Sequence, residues 1–463
     1  MKWRHRKRQR AARRRSPELW NPGSGPAADG KPRVIVVGAG FGGLHATDRL
    51  ARGGAHVMLI DRNVYSTFQP LLYQVATAGL NPGDVAYPVR GFIRRHGARF
   101  RLGELTAIDP QARQITLADG WRYEYDYLVI ATGVSAAYYG VPGAAEYTLG
   151  LYTRRDAITL RDHTMARLER LDLAGPAGKD LNFTVVGGGA TGVELAGALA
   201  ELRWTALEAA FPEVEDTRVH IRLVEMAPAL LAPFDKKLQD YAYRQLLDRE
   251  VDVRLNTAIK EVTPGCVRLA DGDDLPSDVT VWAAGVAAPR QVSEWGLPQG
   301  RGGRILTRPD LRVHGQERIF AVGDIALVDG QPLPQLAQPA IQGGRHAAQQ
   351  IQLLAAGRPT TSFSYHDKGI MATVGRASAV VELPHGIRFR GLIAWLAWLG
   401  LHLITLLGNR NRLSALLNLS WRYVSWARGG GIIVGDDPPA IGSAGPGELT
   451  GAASQQPASQ RPT

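Results

Sequence analysis

A chain of 463 residues has room for about three domains, and with 45% apolar and 21% charged residues its composition is that of a globular protein rather than a disordered one. Its one cysteine, Cys266, excludes an internal disulfide, a redox-active cysteine pair and a zinc–cysteine cluster. The formal charge of +11 is local: residues 1–15 carry nine Lys/Arg and no acid, and the remainder is nearly balanced, 45 basic against 43 acidic. The arm reads as a solvated tail that could also touch nucleic acid or anionic lipid. No apolar h-region follows it, so it is not a secretory signal, and the rest of the chain is expected to stay in the cytoplasm.

After a Pro/Gly-rich linker to about Lys31, the strand Val34-Ile35-Val36-Val37 enters the turn Gly38-Ala39-Gly40-Phe41-Gly42-Gly43 and a helix. A second strand, Val57–Ile60, ends on Asp61, and a third, Tyr127–Ile130, ends at Ala131-Thr132-Gly133. The pattern then begins again. Phe183–Val186 enters Gly187-Gly188-Gly189-Ala190-Thr191-Gly192, Ile221–Val224 ends on Glu225, and Val279–Trp282 ends at Ala283-Ala284-Gly285. Gly38 to Gly187 is 149 residues and Gly133 to Gly285 is 152, so two independent landmarks recur at nearly one interval. The chain is read as two copies of a dinucleotide-binding unit.

In each unit the first glycine permits the strand-to-helix turn, the second lets backbone approach a pyrophosphate, and the third lets the helix pack on the sheet. The acid at the end of the second strand is placed for an adenosine ribose. Asp61 lies 18 residues beyond Gly43, near the usual ~20, whereas Glu225 lies 33 beyond Gly192, which predicts a longer helix or an insertion. No HExxH, Cys/His cluster or GxxxxGK[ST] loop occurs, so no metal site is expected.

The two units, together with Ile319-Phe320-Ala321-Val322-Gly323-Asp324, resemble the two-dinucleotide-binding-domain flavoproteins. Three stretches, Phe68–Thr77, Ala337–Gln342 and Tyr365–Gly369 running on to Val374-Gly375-Arg376, resemble type II NADH dehydrogenase, the single-chain NADH:quinone oxidoreductase that does not pump protons. The resemblance spans about residues 32–430. It implies an α/β chain of two Rossmann-like domains, glutathione-reductase-like, with a C-terminal membrane-associating helical region. The expected layout is 1–31 basic disordered arm and linker, 32–150 first part of the FAD domain, 151–287 NADH domain, 288–386 second part of the FAD domain with quinone-site residues, 387–430 membrane-associating helices, and 431–463 disordered tail.

The resemblance further implies noncovalent FAD on Gly38, Gly40, Phe41, Gly42, Gly43, Asp61, Thr132, Gly133, Gly323 and Asp324, with Leu105 reaching adenine through its backbone. NADH, as substrate, falls to Gly187, Gly189, Gly192, Glu225 and Gly285. Glu194 would point toward nicotinamide and flavin, although an acid in a first helical turn also complements the helix dipole. Gln338 and Gln342, spaced i,i+4 on one helical face, would meet a quinone carbonyl and the flavin, and Lys368 would stabilise negative charge near the quinone. The expected partners are a membrane quinone and the bilayer surface. A homodimer is compatible with the reading, and nucleic acid is not an expected partner. The alternative activity is that of a soluble flavoprotein reductase passing electrons to a redox protein.

Gly391–Gly408 is an uncharged run of 18 residues with eleven large apolar side chains. As one helix it would be about 27 Å long, just short of a ~30 Å hydrocarbon core. Arg388 and Arg390 precede it and Arg410 and Arg412 follow, which leaves no positive-inside asymmetry. The next segment, about 412–428, sets Trp421, Tyr423 and Trp426 among Arg422 and Arg428, as a helix at headgroup level would. The reading is peripheral attachment to the cytoplasmic face of the cell membrane. Truncation after Pro384 is expected to release the protein while sparing NADH oxidation with a soluble acceptor.

Overall fold

In the computed structural model, which describes residues 17–175 and 178–425, the chain divides into two units that interleave along the sequence. Of the described residues, the first takes those up to Thr67, 86–135 and 286–368; the second takes 68–85, those within 136–285 and those from Gly369 on.

Each unit is built on a five-stranded parallel sheet. In the first the order is Ile319–Ala321, Tyr127–Ile130, Arg33–Val37, His56–Asp61, Arg99–Leu102. In the second it is Leu149–Gly150, Val279–Trp282, Leu181–Val186, Val219–Val224, Val251–Arg254. Strands covered on both faces read as continuous apolar runs, and Arg33–Val37 and Leu181–Val186 are buried at every position. Each unit also carries a three-stranded antiparallel meander, Leu105–Asp109/Gln114–Leu117/Arg122–Glu124 in one and Ile259–Thr263/Cys266–Leu269/Asp274–Pro276 in the other. The repeat seen in the glycine spacing is therefore a repeat of whole units. The long interval from Gly192 to Glu225 is taken up by a helix of 21 residues, Ala190–Ala210.

Three expected boundaries move. Trp20, inside the segment read as arm and linker, is buried in the first unit's core with Ile35, Ile130 and Trp295. Arg33 holds that segment down, its guanidinium donating to the Leu19 carbonyl and Ser24 Oγ while pairing with Glu124 and Asp126. The block expected over 288–386 is divided at Lys368, because strand Ile370–Gly375 packs backbone to backbone on helix Ala190–Ala210. A Cβ at Gly197 would stand 2.0 Å from the Val374 carbonyl oxygen. Residues 68–85 join the second unit as well, through helix Leu72–Ala76 against helix Arg154–Ala174.

The apolar run 391–408 is helical only over Leu392–Thr405, 14 residues or about 21 Å. Gly391 enters at φ +76°, ψ −145°, outside helical space, and Leu406 turns extended and buries its side chain. No helix among the described residues is long and apolar enough to cross a membrane. The second helix is Asn409–Ser425; Trp426, Arg428, the arm over 1–15 and the tail from 431 lie outside the described residues.

Candidate functional site

The two glycine turns have the same geometry. Gly38 and Gly187 sit at φ +106° and +111°, and a Cβ on Gly43 or Gly192 would stand 1.8 Å from the carbonyl oxygen of Gly38 or Gly187 respectively. Gly40 and Gly189 differ from their neighbours, since a Cβ there would meet nothing within 4 Å. Both are helix N-caps without a side-chain cap, which leaves backbone N–H groups and the positive end of the helix dipole at an open cradle.

The acids repeat equally closely. Asp61 Oδ2 accepts the Ala39 N–H at 2.6 Å and Oδ1 the Asn63 N–H at 2.6 Å. Glu225 accepts the Gly188 N–H and, at 2.6 Å, the Ala227 N–H. Each carboxylate thus braces the residue after the first glycine and caps its own turn. Burial pushes the Asp61 carboxyl up, and the two backbone donors oppose that shift.

In the first unit two further polar groups lack partners. The buried Thr132 hydroxyl makes no hydrogen bond among the described residues. The Asp324 carboxyl, pushed up to about 6 by burial against the opposing charge of Arg304, accepts none either. Arg304 instead donates to the backbone oxygens of Asp324 and Ala326. Gly133 and Gly323 flank this pair at φ +70° and +73°. A buried unpartnered hydroxyl and a half-buried carboxyl beside an open cradle fit a polyhydroxylated phosphate ligand such as FAD. Gly42 is buried, Phe41 is the first residue of its helix, and Leu105 is 4% exposed, so its side chain belongs to the core and only its backbone is available to a ligand.

Gln338 and Gln342 lie in the first turns of helix Ala337–Ala355. Gln342 exchanges two bonds with the backbone of His366, Nε2 to its oxygen at 2.9 Å and its N–H to Oε1 at 3.0 Å. Two stretches that carried the resemblance are thereby tied together, and the Gln342 amide does structural duty. Gln338, which receives only a 3.5 Å bond from Gln342, is the cleaner variant for probing ligand contact. Lys368 is exposed, and its ammonium makes no ion pair among the described residues.

In the second unit Gly285, at φ +145°, lies beneath the exposed Tyr139, whose hydroxyl would be 2.1 Å from an added Cβ. Glu194, in the second turn of helix Ala190–Ala210, accepts the Thr373 N–H at 3.3 Å. Burial pushes its carboxyl up to about 8, and no basic side chain offsets this.

Helix Leu392–Thr405, expected as a membrane-associating element, also buries Trp398. The inner face of this helix packs Ala394 and Trp395 on Ala379 and Val381. The Phe68–Thr77 stretch seats it, with Phe68 edge-on to His402 and Tyr73 beside Trp398, both at 6.1 Å. Asp84 secures the next helix, accepting from Ser414 Oγ at 2.6 Å and Asn418 Nδ2 at 2.7 Å. The outer faces are bare: Leu392, Ile393, Leu396, Leu401, Ile404, Leu413, Leu416, Leu417 and Trp421 are nine of the 18 large apolar side chains exposed among the described residues. Isolated exposed leucines are ordinary, whereas a contiguous group of this kind marks an interaction surface.

Residues 32–344 match the pyridine nucleotide-disulphide oxidoreductase family, the class that paired sheets and glycine turns define. The disulphide of that name has no counterpart in a chain with one cysteine. Two type II NADH:quinone oxidoreductases of Mycobacterium tuberculosis are 36% and 38% identical over 415 and 427 residues, spanning 86% and 88% of this chain and 89% and 90% of theirs. The chain belongs to the type II NADH:quinone oxidoreductase family. Its fold is also that of NDH2 from Plasmodium falciparum solved with NADH (TM-score 0.79, 18% identity, 88% of this chain and all of that one). A sulfide:quinone oxidoreductase from Aquifex aeolicus is more distant at TM-score 0.68, 18% identity, 86% of this chain and 96% of that one.

Proposed function

We propose that this protein oxidises NADH and reduces a membrane quinone, NADH + H⁺ + quinone giving NAD⁺ + quinol, through noncovalent FAD and without pumping protons. The observation that carries the reading is the matched pair of open, acid-braced cradles, one per unit, in a chain of this family. FAD would be held in the first unit by Gly38, Gly40, Gly43, Asp61, Thr132 and Asp324, and bound there it supplies hydride acceptance and two-electron delivery, chemistry no side chain offers.

The residues of the chain do the rest. Gly187, Gly189 and Gly192 open backbone to the pyrophosphate of NADH, and Glu225 is the acceptor for its adenosine ribose. Glu194 lies in the same unit, its carboxyl pushed up to about 8 by burial. Gln338, with Gln342 behind it, presents amide groups for a quinone carbonyl, and Lys368 presents an unpaired ammonium. The bare outer faces of helices Leu392–Thr405 and Asn409–Ser425 lie on the cytoplasmic surface of the bilayer, where a long-tailed quinone resides. A soluble reductase would leave that surface without a purpose.

Glu225 makes the reading selective. Its carboxylate would stand against a ribose 2′-phosphate, and Met226-Ala227-Pro228 supply no arginine. Like-charge juxtaposition costs several kcal/mol, so kcat/KM for NADH should exceed that for NADPH by on the order of 100-fold. Glu225→Arg should narrow the ratio. Equal kcat/KM values for the two nucleotides in the wild-type protein would contradict the assignment.

A further inference from the structure

We propose that the second unit carries a further binding site, a polar cavity that takes a small polyhydroxylated phosphate monoester of the sugar-phosphate class. The cavity has a volume of about 330 Å³ and lies between helix Arg154–Ala174 and the end of the meander that leads into strand Val279–Trp282. That volume is within the range of small-molecule sites.

The cavity stands apart from the nucleotide cradle. In a parallel α/β sheet a nucleotide meets the carboxyl ends of the strands, and Ala283, which follows strand Val279–Trp282, packs on Gly187 at that end. Ser277, Asp278 and Thr280 line the cavity at the opposite end of the same strand. A strand of four residues at ~3.3 Å each keeps the two places roughly 13 Å apart.

One wall of the cavity is cationic. His163, Arg167 and Arg170 recur at i, i+4 and i+7 and so share one helix face. Neither guanidinium makes a hydrogen bond or an ion pair among the described residues. Two arginines one turn apart present planar forks of N–H donors, the geometry that matches a phosphate.

The facing wall is polar, and its hydrogen-bonding capacity is only partly used. Ser277 and Thr280, each 4% exposed, share one hydrogen bond between their hydroxyls at 2.9 Å. Two hydroxyls carry two hydrogens and this bond uses one; the other finds no acceptor among the described residues. Asp278 Oδ2 accepts the Asn182 N–H at 2.9 Å, while its Oδ1 accepts nothing among them. No ion pair joins Asp278 to Arg167 or Arg170, although all three line one cavity.

The two walls define the class of ligand. A phosphate answers the arginines. A leftover hydroxyl hydrogen and a carboxylate oxygen call for groups that both accept and donate, which sugar hydroxyls do and a second anion does not. A bisphosphate would set its second charge against Asp278, a like-charge contact.

The test is calorimetric titration of the full-length FAD-loaded protein, saturated with NAD⁺ so that the dinucleotide cradles are occupied. The probes are ribose 5-phosphate, ribose and inorganic phosphate. Ribose 5-phosphate should bind at least about tenfold more tightly than either half alone, the value of one further hydrogen-bonding contact. Ala166→Phe fills the cavity from the helix wall, leaves both arginines in place and should abolish that binding. Arg167→Gln with Arg170→Gln should weaken it by about 100-fold, because two charge-assisted contacts to phosphate are lost. Should Ala166→Phe fail to fold, Ser277→Ala with Thr280→Val removes both partners of the hydroxyl pair at nearly constant shape, a change the fold tolerates. That pair of substitutions should cost ribose 5-phosphate about tenfold and leave inorganic phosphate unchanged. Flavin reduction by NADH, unaltered in each variant, shows that the variants are folded. Absence of saturable ribose 5-phosphate binding to the wild-type protein overturns the proposal. So does equal affinity for inorganic phosphate, or binding that survives Ala166→Phe or the hydroxyl-pair variant, since any of these reduces the site to two arginines attracting an anion at the surface.

Discussion

Gly189→Val should give a yellow, folded protein whose colour NADH no longer bleaches, whereas Gly40→Val should give a folded protein with no colour. Neither change strains the backbone. Gly189 and Gly40 have φ of −71° and −79° with extended ψ, a region β-branched residues occupy readily. Neither meets a neighbour, since an added Cβ finds no atom within 4 Å at either position. The cost to the fold is that of a poorer helix N-cap, about 1 kcal/mol. The two isopropyl groups instead fill the space through which backbone must approach a pyrophosphate. NADH binding to Gly189→Val should weaken by more than about 100-fold, the loss expected when several charge-assisted hydrogen bonds to phosphate are blocked together. Absorbance spectra and calorimetric titration of NADH separate the outcomes. Gly189→Val protein that NADH bleaches as readily as wild type would place the nucleotide elsewhere.

Replacing Ile393, Leu396 and Ile404 together by aspartate should release the protein from membranes. These side chains lie on one face of helix Leu392–Thr405 at 71%, 54% and 70% exposure, opposite Trp395 and Trp398. At roughly 2 kcal/mol each on burial in lipid, their loss alone removes about 6 kcal/mol, before the added carboxylates are repelled by anionic headgroups. The nine basic residues of the arm, at ~1 kcal/mol each, act only on an anionic surface, so the release is read on zwitterionic vesicles, where that attraction is absent. Since none of the three contacts Glu194, NADH oxidation with a water-soluble acceptor should remain within about twofold while turnover with a long-tailed quinone collapses. Cosedimentation of the triple variant with zwitterionic vesicles, undiminished from wild type, would show that these faces are not what the bilayer holds.

Much of this was legible in the chain itself. The sheets announce themselves because strands buried on both faces admit only apolar runs, and Val34–Val37, Phe183–Val186 and Val279–Trp282 are such runs. The turns are legible because steric exclusion at Gly38, Gly43, Gly187 and Gly192 leaves no other residue possible there. Two features lie beyond a sequence pattern for one physical reason. The helix Leu392–Thr405 is shorter than the apolar run 391–408 because hydropathy does not register a backbone that leaves helical space at Gly391 and Leu406. The surroundings of Glu194 are not legible because its backbone donor is Thr373, about 180 positions away, and their meeting depends on how one small sheet seats on one helix. Trp398 looked like one more apolar residue in a lipid-facing run. The stretch Val374-Gly375-Arg376 was noticed as a family mark, but its role at the close approach to Gly197 and at Glu201 required the fold.

The account is tested most directly by the anaerobic absorbance spectrum of the purified protein, recorded alone, after one equivalent of NADH, and after one equivalent of a quinone. It predicts flavin bands at the outset, released as free FAD by acid. NADH should bleach them, and quinone should restore them with stoichiometric quinol. Flavin bands that NADH leaves unchanged, or that bleach and return with a soluble redox protein but not with quinone, would contradict it.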